Sequence, residues 1–115
     1  MVLKRNNGEV VLARVRRALS RREKRRGLLG RNGLEQGEGL LLKGCRFVHT
    51  FLMKFPVGLI YLDKRKRVAK IVRRLAPWRV SACPAAESVV ECRADLPALG
   101  RLRVGESLLM EEQDE

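Results

Sequence analysis

Val57-Gly58-Leu59-Ile60-Tyr61-Leu62 runs into Asp63-Lys64-Arg65-Lys66-Arg67 and then into Val68-Ala69-Lys70-Ile71-Val72-Arg73-Arg74-Leu75. The first segment is apolar without a break, and at that length it predicts a central strand covered on both faces. Asp63 to Lys66 predicts a polar hairpin turn, although the Asp-Gly of a tight two-residue loop is missing. Val68 to Leu75 resumes the β pattern. A central antiparallel hairpin is therefore the expected nucleus of the fold.

Working upstream, Phe55-Pro56 bends or ends whatever precedes the hairpin, because proline donates no ladder hydrogen bond. Arg46 to Lys54 alternates with period two, which predicts another strand. Cys45, Phe47, His49, Phe51, Met53 and Phe55 share one face, and this aromatic set is expected to point into the core. Gly39 to Lys43 predicts a short buried strand, followed by a turn at Lys43-Gly44-Cys45. Residues 32–38 read as a loop. Ser20-Arg21-Arg22-Glu23 has the form of a capping box, in which each side chain satisfies the other's orphan backbone donor. It predicts a helix from about Arg21 to Leu29, stopped by Gly30. Gly8 to Val15 predicts the first strand.

Downstream, Ala76-Pro77-Trp78 breaks the β pattern, Ala86 to Cys92 predicts a strand, and Asp95 is placed to N-cap one helical turn ending at Gly100. Val104 to Met110 predicts the last strand. The expected fold class is α+β, mostly β: a compact barrel-like or strongly bent sheet of about seven short strands with two short helices. Residues 1–110 are expected to form a single compact domain, with 111–115 an acidic, disordered tail.

The length of 115 residues supports one core, and 45% hydrophobic with 33% charged residues excludes collagen-like, mucin-like and acidic disordered chains. The net charge of +12 is unevenly spread: residues 1–31 carry +9, 32–74 carry +7, and 75–115 carry −4. A basic front favours an anionic partner such as nucleic acid, anionic lipid or an acidic protein. Arginine outnumbers lysine 18 to 7, however, a bias that a GC-rich genome also produces. The first 17 residues hold no apolar core of a signal peptide, and no run approaches the ~20 residues that span a bilayer. Three cysteines, an odd number, are read as reduced thiols of a cytoplasmic protein.

Four blocks resemble the family called domain of unknown function 192. Arg25-Arg26-Gly27-Leu28-Leu29-Gly30-Arg31 is similar to its opening "RxxGLMGR". Cys45 to Pro56, followed by Val57 to Asp63, resembles its aromatic-Met-Lys/Arg-x-Pro segment and the apolar strand after it. Leu75-Ala76-Pro77-Trp78-Arg79 through Cys83-Pro84-Ala85-Ala86 to Glu91 is similar to its "PWR…C-P-G-A…VLE". Leu99-Gly100-Arg101-Leu102-Arg103-Val104-Gly105-Glu106 resembles its closing "G-(I/L)-x-V-G-D". The resemblance covers roughly residues 12–109, implies a compact, barrel-like α+β domain and implies no reaction. Gly58 departs from the pattern, standing where the family usually has Asp.

Candidate sites are few. His49 is the single histidine. A Cys–His pair needs imidazole about 3 Å from sulfur, and Cys45 is about 13 Å from His49 along a strand. Cys45, Cys83, Cys92 and His49 sum to a zinc ligand set but lack C-x₂-C spacing. No metal or cofactor is expected, and no carboxylate pair is placed for acid–base work. His49, Met53, Trp78 and Cys83 are the pocket candidates. Arg17, Arg21, Arg22, Arg25 and Arg26, with Lys64, Arg65 and Arg67, are the anion-binding candidates. With the aromatics assigned to the core, no stacking platform for single strands is expected. The reading is a monomeric, non-enzymatic binding or accessory module for a protein or small ligand. Weak, non-specific nucleic-acid or polyanion binding is the alternative, and an enzyme of unknown type the third.

Overall fold

The computed structural model describes residues 1–18 and 31–112. The helix expected over Arg21 to Leu29, with its capping box and Arg21, Arg22, Arg25 and Arg26, lies outside the described residues.

Among the described residues, ten strands form three sheets. β1 (Val2–Arg5) and β2 (Val10–Leu12) form a hairpin, with β3 (Arg14–Arg17) directly after it. β4 (Glu38–Lys43), β5 (Phe47–His49), β6 (Val57–Leu62) and β7 (Val68–Leu75) follow. β8 (Val80–Ala82), β9 (Ser88–Arg93), the short helix α1 (Pro97–Arg101) and β10 (Leu108–Glu111) complete the order.

The expected hairpin is present. All six residues of β6 are buried, and β7 runs back antiparallel along it. The turn places Lys66 at φ 62°, a conformation that favours glycine, and a side chain holds it there. Asp63 Oδ1 accepts from the backbone amides of Arg65 and Arg67, 2.8 and 2.9 Å away. On its other edge β6 pairs with β9, β9 with β4, and β4 in parallel with β3, giving the order β3-β4-β9-β6-β7. β10-β1-β2 form a second sheet and β5-β8 a two-stranded ribbon.

Successive side chains of a strand point to opposite faces, and both faces of the five-stranded sheet are covered. Ile60, Leu62, Leu41, Val90 and Cys92 pack against Leu3, Leu12 and Leu108 of the three-stranded sheet and Leu99 of α1. Val57, Leu59, Tyr61, Leu40, Leu42 and Val89 pack against Val48, Met53, Phe55 and Cys83, which lie in or beside the β5-β8 ribbon. This two-sided cover is why β6 reads as unbroken apolar sequence. Gly58 marks a close approach: a Cβ there would lie 2.8 Å from Leu99 Cδ1 and 3.0 Å from both Arg93 O and Cys92 Sγ.

Several expectations are corrected. The five-stranded sheet ends at unjoined edges, β3 and β7, so no barrel closes. The strand expected over 8–15 divides after β2, where the chain leaves one sheet for another; β1 and β8 were not anticipated. β1 turns into β2 through Gly8 at φ 90°, with Arg5 N donating to Glu9 O at 2.8 Å. The strand expected over 46–54 stops at His49, and a turn follows in which Met53 N donates to Thr50 O. Its faces are also exchanged. Val48 and Thr50 are buried, while Phe47 and Phe51 are exposed. Asp95 does not cap α1: Leu96 occupies that position with no side-chain bond, and the Asp95 carboxylate pairs with Arg74. The last strand begins at Leu108, after a turn at Gly105 with φ 96°. Among the described residues α1 is the one α-helix, and no helix is long and apolar enough to cross a membrane.

Candidate functional site

The exchanged faces of β5 place aromatic rings on the outside of the molecule. β5 pairs with β8 in the register Phe47↔Ala82, Val48↔Ser81, His49↔Val80. Val48 and Ser81 therefore point inward, where Tyr61 of β6 bonds Ser81 Oγ through its hydroxyl at 3.1 Å and ties the ribbon to the sheet beneath. Phe47 and His49 point outward.

Beyond the ribbon, Thr50 joins two loops. Its hydroxyl donates to Ala76 O at 2.6 Å and accepts from Arg79 N at 3.0 Å. Its backbone N donates to Arg79 O and its carbonyl accepts from Trp78 N, at 2.9 and 3.1 Å. The side chain is fully buried, so these bonds are sheltered from competing water. The clamp brings Phe51, one residue after Thr50, against Trp78 from the other loop. Leu52 and Trp78 both hold positive φ, 67° and 64°. A bulky residue adopts that conformation only when its surroundings over-determine it.

The result is a row of four rings. Phe47 and His49 have centroids 6.5 Å apart, His49 and Phe51 stack at 4.9 Å, and Phe51 and Trp78 stack at 5.8 Å. Phe47 is 53% exposed, Phe51 41%, and Trp78 57%, with Leu52 and Val80 also open to solvent. Contiguous exposed apolar surface of this kind marks an interaction site more often than isolated surface apolar residues do. His49 sits mid-row, half-buried, and its Nδ1 has no hydrogen-bond partner among the described residues. Ring contacts rather than hydrogen bonds hold it.

The rim is cationic. Arg46, Lys54 and Arg79 are exposed in the two segments that carry the rings, and Lys70 Nζ donates to Ala82 O at 2.9 Å. No Asp or Glu occurs between residues 43 and 62 or between 75 and 86. The carboxylates of Glu9, Glu35, Glu38, Asp63, Asp95, Glu106 and Glu111 pair with cations elsewhere. Among the described residues, the four rim cations form no ion pair.

The four pocket candidates divide across the ribbon. His49 and Trp78 belong to the outer row; Met53 and Cys83 are buried beneath it. The anion-binding candidates that are described do not converge either. Arg17 lies on edge strand β3, while Lys64, Arg65 and Arg67 lie on the β6-β7 turn at the opposite edge of the sheet. Arg67 Nε already bonds Asp63 Oδ2. Of the three thiols, Cys45 and Cys83 share the cluster beneath the ribbon and Cys92 stands apart. Cys45 Sγ donates to Phe47 O at 3.0 Å, and Cys92 lies in the cluster on the far face of the sheet, its thiol pushed up to about 12 by burial. Among the described residues no group of three or more His, Cys, Asp or Glu is placed to hold a metal ion. A groove of about 470 Å³ opens elsewhere, lined by Met1, Arg14, Arg31, Glu35, Glu38 and Leu40. Its two carboxylates are engaged: Arg14 pairs with Glu35, and Arg31 bonds Glu38 through both terminal nitrogens, holding the Glu38 carboxyl below its usual range.

The model of the DUF192 family, "Uncharacterized ACR", matches residues 2–110. The chain belongs to that family. Among curated proteins nothing matches it. It is similar in fold to a "putative transcription regulator" from Sinorhizobium meliloti 1021, with a TM-score of 0.76 and 16% identity over 94% of this chain and 89% of that one. It is also similar to a protein of unknown function from Novosphingobium aromaticivorans DSM 12444, with a TM-score of 0.76 and 19% identity over 95% of this chain and 82% of that one. At Gly58 a Cβ would crowd Leu99 Cδ1, Arg93 O and Cys92 Sγ, so any side chain there needs its neighbours to shift.

The ring row was missed in the sequence because period-two alternation divides a strand into two faces without saying which is inner. One signal was available: Thr50, a small polar residue, shares a face with Val48 and can bond two loops from inside, as a phenylalanine cannot.

Proposed function

We propose that this chain is a non-enzymatic binding module whose contact face is the Phe47–His49–Phe51–Trp78 row. The observation that carries the reading is that the rings stack on one another in solvent while a buried threonine clamp, Thr50, fixes two of them in place. A surface held this firmly is pre-organised, so binding costs little further ordering. Cys45 Sγ is engaged with Phe47 O, and Cys83 and Cys92 are buried, which favours binding over thiol catalysis. Three free cysteines support a reducing, cytoplasmic setting, and residues 1–110 are taken as one folding unit.

The test is a titration of the full chain, followed residue by residue in two-dimensional NMR spectra. The probes are a single-stranded oligonucleotide, an acidic peptide and anionic vesicles. Shifts concentrated at residues 46–54 and 78–82, and lost in Phe51→Ala, support the reading. Shifts confined to other faces, or none with any probe, refute it.

A further inference from the structure

We infer that the ring row and its cationic rim bind single-stranded nucleic acid, with bases stacking on the rings and phosphates meeting Arg46, Lys54, Lys70 and Arg79. This inference rests on the binding face proposed above and names its ligand.

Two independent properties of the surface converge on this chemistry. The first is the rings. Sequence-tolerant single-strand binding needs flat π-faces at the surface, because every base offers one. Phe47, Phe51 and Trp78 are each more than two-fifths exposed; His49, Phe51 and Trp78 are stacked in turn, and Phe47 meets His49 at a tilt of 53°. Trp78 ends it, and among the described residues no ring other than Phe51 lies against it. An unpaired base can extend the stack there. In a duplex the base faces are already covered, so a double strand meets the rim but not the rings.

The second property is charge. An apolar patch built for a neutral peptide needs no ring of uncompensated cations, whereas a polyanion does. Arg46, Lys54 and Arg79 lie in the two segments that carry the rings, and those segments contain no carboxylate. Arg46 Nε donates to Ala86 O, Arg79 to Trp78 O, and Lys70 Nζ to Ala82 O, opposite Phe47. Glu9, Glu106 and Asp95 pair with other cations: Glu9 with Arg5 and Arg101, Glu106 with Arg5, and Asp95 with Arg74. Four cations, and no acid in the ring-bearing segments, leave this surface locally positive. If about four phosphates are neutralised, the logarithm of affinity for a single strand falls with that of salt with a slope of about −3.

Trp78 is the single tryptophan and reports on the site directly. The full chain is titrated with a ten-nucleotide single strand of mixed sequence, as DNA and as RNA, at low and at physiological salt. Parallel titrations use the same sequence as a duplex, an acidic peptide, and phosphatidylserine-containing vesicles. The expected result is quenching of Trp78 by the single strands, weaker binding of the duplex, and a steep salt dependence. Phe51→Ala and the milder Phe51→Leu should each weaken single-strand binding, the alanine variant by roughly tenfold. Lys54→Gln with Arg79→Gln should reduce the salt slope by about one to two, whereas Lys64→Gln with Arg65→Gln on the β6-β7 turn should leave it unchanged. The inference is overturned if the single strands leave Trp78 unquenched at low salt, if both Phe51 variants bind as the parent does, or if the Lys64/Arg65 variant accounts for the loss. Should vesicles or the acidic peptide quench Trp78 while single strands do not, the ligand is wrong and the binding face stands. Should nothing perturb Trp78 or its neighbours, both readings fall.

Discussion

Phe51 stacks on Trp78 with ring centroids 5.8 Å apart and planes inclined by 27°, although 27 positions separate them in the chain. Neither ring is held by the core. Their alignment depends on Thr50, whose hydroxyl donates into one loop at Ala76 O and accepts from it at Arg79 N. A buried side chain on the strand's continuation therefore sets the geometry of an exposed surface.

Replacing Thr50 by valine keeps the volume and removes the hydroxyl. Ala76 O and the Arg79 amide then lose a buried partner, at a cost of about 1–3 kcal/mol. Thr50→Ser keeps the bonding group and should cost clearly less. Urea denaturation of the two variants gives the difference. The same spectra follow Trp78, whose emission should change in the valine variant as its loop loosens. Equal stability of the two variants would show that the hydroxyl is not the clamp.

Trp78 holds its stacked position at φ 64°, where an L-residue pays a conformational penalty that glycine does not. Trp78→Ala and Trp78→Gly both remove the stacking on Phe51. They differ in backbone strain, so the glycine variant should be the more stable by about 1 kcal/mol. This reverses the usual order of alanine and glycine in loops. Thermal or urea unfolding measures it directly, and an alanine variant equal to or more stable than the glycine one would contradict strain at this residue.

The hairpin of β6 and β7 was legible because burial on both faces leaves a run of apolar residues that needs no orientation to be recognised. β5 was only half legible. Its alternation is real, yet the side chains that face inward are Val48 and Thr50, and the rings lie outside. Hydrophobicity alone puts phenylalanine inside; the reversal follows from Met53 and Phe55, which return to the core after the turn and fill the space beneath the ribbon. β1 and β8 escaped notice because three or four residues, partly basic or exposed, carry too little pattern to mark a strand. The cationic rim was legible as sequence, but its meaning was not, because it depends on where the carboxylates find partners.

Gly58 gives a prediction about the core. Alanine there brings Cβ within 2.8 Å of Leu99 Cδ1 and 3.0 Å of Arg93 O and Cys92 Sγ. The leucine methyl can give way; the backbone oxygen of a central strand cannot do so cheaply. Gly58→Ala should therefore destabilise by about 1–3 kcal/mol. Gly58→Asp should cost more, because it adds an unpaired charge in an apolar cluster. The double variant Gly58→Ala with Leu99→Ala should cost less than the sum of the single changes, since each relieves the other. Additive losses would show that Leu99 is not the limiting contact.

Acid should weaken the fold through its lowered carboxyls, Glu9, Glu38, Asp63 and Glu106, of which Glu9 and Asp63 are the two to test. Glu9 is held below its ordinary value of 4.5 by hydrogen bonds from the Arg5 and Arg101 side chains, and it joins the β1-β2 turn to α1. Asp63 is held below 3.8 chiefly by the Arg67 backbone amide, with the Arg65 amide and the Arg67 side chain adding to it. A carboxyl whose folded pKa lies below its unfolded one binds fewer protons when folded. Its contribution is complete above the unfolded value and is lost as pH falls through the folded one. The urea midpoint should thus stay level from pH 7 to about 5 and fall below about 4. Glu9→Gln should start lower at pH 7 and fall less steeply, and Asp63→Asn should behave likewise. Both groups lie near the surface, so added salt should shrink the Glu9 effect, which depends on ion pairs, more than the Asp63 effect, which depends mainly on backbone amides. A midpoint that falls equally in the parent and in both variants would place the acid-sensitive carboxyls elsewhere.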